Sequence, residues 1–262
     1  MARYALLLTF VASVLLPACS GLVHQSFNGT SVSERNGELY VDDVLVENHQ
    51  EIEVAIDGVQ FSELKLSVPT GLINVEGIPG EEGHLILDLY TEFEGDGTVS
   101  LEGGRLKARS NARGKVLING IRGTIPAGMS LEIDTGTGQV LVSGLLGSGN
   151  VELESGTGPV RFVDCEIDSL DISSGTADIR LQGVHAKLLE VNSGTGDFVA
   201  KDCHFVRLRG DSGTGDFSLT KSQVDDAHFE SGTGDVRLMD TVITHIRASL
   251  GTGDVISDSS TP

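Results

Sequence analysis

Five aspartates, Asp178, Asp197, Asp216, Asp235 and Asp254, recur at a constant interval of 19 residues. If the chain coils with that period they stack in one file, and unit charges about 4.8 Å apart repel by roughly 0.9 kcal/mol per neighbouring pair even in water. Calcium held between adjacent coils would offset this repulsion, as it does in glycine-rich nonapeptide repeats. Those repeats turn about every nine residues, whereas here the other half of each interval carries no second glycine turn. The plainer use of each Asp is to accept hydrogen bonds from the N–H groups of its own turn. A second set of candidate ligands is His185 and His204, one period apart, with Glu166 one period earlier. Two imidazoles and a carboxylate at one corner could hold a transition metal, although Gln223 and Val242 continue the column without a ligand. Nucleophilic catalysis has little to work with, since the chain has no Gly-x-Ser-x-Gly elbow and no His-Glu-x-x-His motif.

The elements that position these residues follow from the turns. Seven segments, of which Glu154-Ser-Gly-Thr-Gly and Asp211-Ser-Gly-Thr-Gly are representative, place their first glycines at Gly136, Gly156, Gly175, Gly194, Gly213, Gly232 and Gly251. The spacing is 20 residues once and then 19 five times. Because the second glycine is replaced once, by Ala177, while the first is present in all seven, the first is expected to need a positive φ and the second to tolerate a Cβ. Thr137, Thr157, Thr176, Thr195, Thr214, Thr233 and Thr252 form a parallel file of hydroxyls.

Between turns, apolar and polar residues alternate, which is the pattern of half-buried strands. Inward columns read Val160, Ile179, Phe198, Phe217, Val236 and Phe162, Leu181, Ala200, Leu219, Leu238. Two further columns, Ile167, Ala186, Phe205, Val224, Ile243 and Leu170, Leu189, Leu208, Ala227, Ile246, mark a second strand. One coil of 19 residues cannot close a core, but stacked coils bury both faces and pair every backbone group with the coils above and below. The sequence therefore predicts an all-β fold, a parallel β-solenoid with coils of about 19 residues over residues 60–257, followed by a polar tail, 258–262. Weaker copies are read at Gly71 to Gly80 and Gly114 to Gly123, with Gly97 to Gly103 between them. Cys165 and Cys203 lie two periods apart, about 9.6 Å in a stack and beyond the reach of a disulfide, so both should be free thiols.

The Ser-Gly-Thr-Gly-Asp turns, the Val-Pro-Thr-Gly and Ile-Pro-Ala-Gly entries at Val68 and Ile125, and the Gly-x-Val-x-Val-x-Gly strands resemble a bacterial adhesin-like β-strand-repeat family of extracytoplasmic proteins. The resemblance covers about residues 60–257 and implies the fold; that family supplies no activity, cofactor or catalytic residue to carry over.

Residues 1–18 read as a lipoprotein signal peptide, because Arg3 precedes an apolar run from Ala5 to Leu16 that is too short to span a bilayer. Leu16-Pro17-Ala18-Cys19 resembles the bacterial lipobox, which makes Cys19 the expected lipidation site, and Ser20 after it points by family analogy to the outer membrane. Residues 19–59 lack the repeat and read as a tether and N-terminal cap. The full chain carries 38 acidic and 18 basic side chains, a net charge of −20, and loss of residues 1–18 removes Arg3 alone, leaving −21. That sign repels nucleic acid and anionic lipid, so the membrane is engaged through the acyl anchor. The expected function is a non-catalytic structural or adhesion-type binding module of the bacterial cell envelope, without a cofactor, whose partner is an envelope protein or surface ligand. The competing readings are a calcium-binding repeat protein and a polysaccharide-active β-helix enzyme, the latter disfavoured because a coil without Trp and with 3 Tyr offers few sugar platforms.

Overall fold

The computed structural model describes residues 23–27, 30–147 and 149–258. Every regular element among them is a β-strand, and the chain forms the parallel solenoid that its period dictates. Each coil has a longer strand, a turn at the Gly-Thr-Gly segment, and a short strand. Coil 1 comprises Ser130–Thr135 and Val140–Ser143; coil 2, Asn150–Ser155 and Val160–Val163; coil 3, Glu166–Ser174 and Ile179–Gln182. Coil 4 comprises His185–Thr195 and Phe198–Lys201; coil 5, His204–Thr214 and Phe217–Thr220; coil 6, Gln223–Thr233 and Val236–Met239; coil 7, Val242–Thr252 and Val255–Asp258. The longer strands stack in one parallel sheet and the short strands in another. From coil 3 onward the register is one full period, with Ile179 opposite Phe198 and Leu189 opposite Leu208.

The inward columns fill the space between the sheets. Phe162, Leu170, Leu181, Leu189, Phe205, Leu208 and Phe217 are all buried, and the columns stay buried as far as coil 6. Coil 7 has neighbours on one side only, so Ile246 and Val255, in the same columns, are 42% and 46% exposed. The second corner of each coil has no single recurring residue type. It is a left-handed residue in every coil from the first to the sixth: Gly144, Asp164, Gly183, Asp202, Lys221 and Asp240, with φ between 48° and 65°.

A further coil, Glu63–Val68 and Ile73–Ile78, stacks beneath coil 1. Residues 79–129 then leave the stack, and here the weaker copies are corrected. The segment at Gly97 is no intermediate coil: Thr98–Glu102 and Arg105–Arg109 form an antiparallel hairpin through the left-handed pair Gly103 and Gly104, the geometry of a two-residue hairpin turn. Val116–Pro126 does run parallel to Ile73–Ile78, but Ile121 lies opposite Ile73, five residues from the alignment suggested by sequence likeness. Glu82–Thr91 pairs antiparallel with that strand and with Asn48–Asp57, which closes the edge of the sheet. Ahead of it, Val23–Phe27, Thr30–Arg35, Glu38–Val41 and Val44–Leu45 make a small antiparallel sheet with its own cluster of Leu39, Val41 and Val46. The expected signal peptide and Cys19 lie outside the described residues.

Candidate functional site

The turns build a long concave feature. A groove of about 1040 Å³ runs past all seven, floored by Gly136, Gly156, Gly175, Gly194, Gly213, Gly232 and Gly251. Beside this floor stands the column Asp134, Glu154, Ser173, Asn192, Asp211, Glu230 and Ser249. Among the described residues Glu230 is paired with His228, Oε1 to Nε2 at 2.9 Å, whereas Asp134, Glu154 and Asp211 have no ion-pair partner. Burial, and then the neighbouring carboxylates of Glu154 and Glu132, push the Asp134 carboxyl above its ordinary range.

The glycines of the floor are required for a reason other than the expected one. None of the seven has the positive φ that their recurrence suggested. A Cβ at Gly156, Gly175, Gly194, Gly213, Gly232 or Gly251 would instead sit 2.3–2.7 Å from the carbonyl oxygen of the corresponding glycine one coil earlier. Close axial approach of two backbones excludes the side chain. The left-handed residues are the second glycines of the later turns, with φ of +132° at Gly196 and +150° to +153° at Gly215, Gly234 and Gly253. Alanine at Gly196 would also meet the Ala177 carbonyl oxygen at 2.3 Å, so the tolerance seen at Ala177 does not extend to coil 4.

The aspartate file lies just past the turns, and its hydrogen bonds run between coils rather than within them. The Oδ1 atoms of Asp178, Asp197, Asp216 and Asp235 accept the backbone N–H of Asp197, Asp216, Asp235 and Asp254, at 3.2, 3.0, 2.7 and 3.0 Å. Each carboxylate thus bonds to the residue 19 positions ahead. Arg180 pairs with Asp178 at 2.9 Å, and Arg237 bridges Asp216 and Asp235, so cationic side chains share in offsetting the stacked charge. The amide of Asp235, followed by the guanidinium of Arg237, holds the Asp216 carboxyl below the usual carboxylate range.

Glu166, His185 and His204 are brought into one row, as their spacing requires. The imidazoles meet edge to face with centroids 6.0 Å apart and share a shallow pocket with Glu166, Lys187 and Val206. Among the described residues no group of three or more His, Cys, Asp or Glu is placed to hold a metal ion. Cys165 and Cys203 are free and buried.

A family defined on other sequences matches residues 90–261 and is described as Toastrack DUF4097. The chain belongs to the Toastrack family. The match takes in the solenoid coils from 1 to 7 together with part of the excursion that precedes them. Two solved structures are also similar to this Toastrack chain. A candidate cell adhesion protein from Clostridium sporogenes ATCC 15579 is 11% identical, with 77% of this chain and 100% of that one covered and a TM-score of 0.32. A candidate lipid-binding protein from Parabacteroides distasonis ATCC 8503 is 14% identical, with 81% of this chain and 95% of that one covered and a TM-score of 0.31. Both likenesses are too distant to carry function. No curated protein matches the chain.

Proposed function

We propose that this Toastrack protein is a non-catalytic binding module of the bacterial envelope, held to the membrane by acylated Cys19 and presenting the turn groove to its partner. The observation that supports it is the groove itself. Its floor is bare backbone, which a partner can approach closely, and its wall mixes carboxylate, amide and hydroxyl groups over the length of seven coils. Three carboxylates that have no ion-pair partner among the described residues favour a partner that brings positive charge or hydrogen-bond donors. A diacylglyceryl group plus an N-terminal acyl chain supplies the multiple lipid signals that stable anchoring needs.

Two measurements test the two halves. Cys19→Ser should leave an unprocessed or soluble protein, and normal processing with unchanged membrane fractionation would overturn the anchor. Glu154→Lys combined with Asp211→Lys should abolish capture of an envelope partner by the immobilised protein while leaving the β circular-dichroism spectrum intact. Equal capture by both forms would remove the groove from the reading.

A further inference from the structure

The pentapeptide Glu-Ser-Gly-Thr-Gly occurs twice, at 154–158 and at 230–234, and it folds in two ways. In coil 2 the strand stops at Ser155, whose hydroxyl donates to the Gly158 carbonyl at 3.3 Å. In coil 6 the strand runs on to Thr233, Gly234 adopts a φ of +150°, and its N–H donates to the Thr252 carbonyl one coil ahead at 3.0 Å. Ser231 is then buried with no partner for its hydroxyl among the described residues. Identical residues have identical intrinsic preferences, so the neighbouring coils decide between the two forms.

The turns of coils 1, 3, 4 and 5 sort into the same two classes. In coil 1 the Gly138 N–H donates to Thr135 Oγ1 at 3.1 Å, and in coil 3 the Ala177 N–H donates to Ser174 Oγ at 2.9 Å. In coils 4 and 5 the strands continue to Thr195 and Thr214, and the N–H groups of Gly196 and Gly215 donate to the carbonyls of Thr214 and Thr233. Among the described residues Ser193 and Ser212, which occupy the capping position, are left without hydroxyl partners like Ser231. The boundary therefore falls between Ala177 and Gly196. Alanine resists the left-handed φ that the second form demands, whereas glycine adopts it freely.

We propose that the turns form a two-state file, in which a side-chain-capped form and an axially bonded form of the same turn compete, and Ala177 fixes the boundary between them. Each form exchanges one hydrogen bond for another, so the difference between them is a small remainder of two similar terms. The axial form is coupled from coil to coil, because a donor in one turn needs the threonine carbonyl of the next turn in strand geometry. The unpartnered serine hydroxyls of coils 4 to 6 are the caps of the unpopulated form. Since the turns floor the groove, a ligand that grips one form better moves the boundary toward it. That regulatory consequence rests on the groove being the contact surface; the two-state file does not, and the experiment below reads the file alone.

The test is a double-mutant cycle on the full chain, read as unfolding equilibrium constants in urea. Ser193→Ala alone removes a buried, unpartnered hydroxyl and should leave the protein at least as stable as the native form. Gly196→Ala forces coil 4 into the capped form, where Ser193 acquires a partner, so Ser193→Ala on that background should cost about fivefold. The mirror cycle uses Ala177→Gly, which frees coil 3 to take the axial form. Ser174→Ala should cost about fivefold in the native background and less than about twofold beside Ala177→Gly. The mirror cycle stands in if Gly196→Ala does not fold. Coupling of the stated sign supports the two-state file, and additivity in the variants that fold overturns it.

Discussion

The ring of Phe217 occupies the space that a side chain on Gly210 would fill, since a Cβ there would lie 2.5 Å from Cε1. Gly210 stands in the longer-strand column next to Phe229, and Phe217 packs between Phe198 and Phe229 with centroid distances of 5.8 and 5.2 Å. The missing side chain therefore makes room for the central ring of an aromatic row. Gly210→Ala should lower stability by about 1–3 kcal/mol through overpacking, and Phe217→Leu should recover part of that loss in the double variant. Additive losses in urea denaturation would contradict the shared-space account.

Lys221 holds a left-handed backbone with φ of +50° at a corner where other coils use Gly or Asp. A lysine gains nothing locally there, and the conformation costs about 1–2 kcal/mol for an ordinary L-residue. Lys221→Gly should raise the thermal midpoint by removing that strain, with a gain of about 1 kcal/mol or less once backbone entropy is counted. A lowered midpoint would show that the lysine side chain contributes more than its backbone costs.

Asp216 makes stability fall in acid. Its carboxyl is held low in the folded protein by the Asp235 amide and the Arg237 guanidinium. The stabilisation is therefore present above the unfolded carboxylate value and is lost as pH falls through the lowered folded value. Asp216→Asn should be less stable than the native protein at about pH 7 and nearly equal to it at about pH 2. Urea midpoints measured across that range give the comparison, and a pH-independent gap would point to shape rather than charge.

Asp134 has the opposite sign. Burial and its acidic neighbours raise its carboxyl, so its ionised form disfavours the folded state above that raised value, and protonation relieves the penalty as pH falls. Asp134→Asn should stabilise the protein near neutrality, with the gain vanishing in acid. Because Asp134 and Asp216 act in contrary directions, the two variants measured side by side control for general acid effects.

The thiols should be silent while the protein is folded. Burial pushes Cys203 up to about 11 and raises Cys165 in the same direction, and each Sγ donates to a backbone carbonyl, of Lys201 and Val163 respectively. Since the thiolate is the reactive form, a thiol reagent at neutral pH should label neither until denaturant is added. Rapid labelling of the native protein would mean that the coil edges open far more often than their packing implies.

Where a residue's role follows from the period, the sequence makes it legible. Phe162, Leu181, Leu208 and Val224 are buried because alternation and a constant 19-residue interval leave one face for each, and the same register separates Cys165 from Cys203. Roles set by contact between coils are harder to see. Gly194 recurs because a carbonyl lies 2.5 Å from its absent Cβ, and recurrence alone does not distinguish that cause from a positive φ. The aspartate file was visible as a spacing, but its bonds pass to the next coil's amide, a choice that depends on how the turn orients each peptide plane. The second corner carries a faint signal in Asp164, Gly183, Asp202 and Asp240, residue types that tolerate a left-handed backbone, which Lys221 interrupts. In the excursion the likeness of Gly114 to Gly123 with Gly71 to Gly80 does not give the pairing. A bulge between Ile118 and Gly120 shifts the register against Glu82–Thr91, and one inserted residue reverses which side chains face inward. Ile121 rather than Val116 faces Ile73, an offset of five residues that is larger than this bulge.

The aspartate ladder also gives the stack a chemical polarity. Asp178 accepts the amide of Asp197, Asp197 that of Asp216, and so on toward Asp254, so each coil from the third to the sixth turns an acceptor toward the coil ahead. The two ends of the file are therefore unlike. Behind Asp178 stands Pro159, which offers no carboxylate to its amide, whereas the last coil presents the carboxylate of Asp254. A strand laid on the C-terminal edge would meet an acceptor that the other end of the file does not provide.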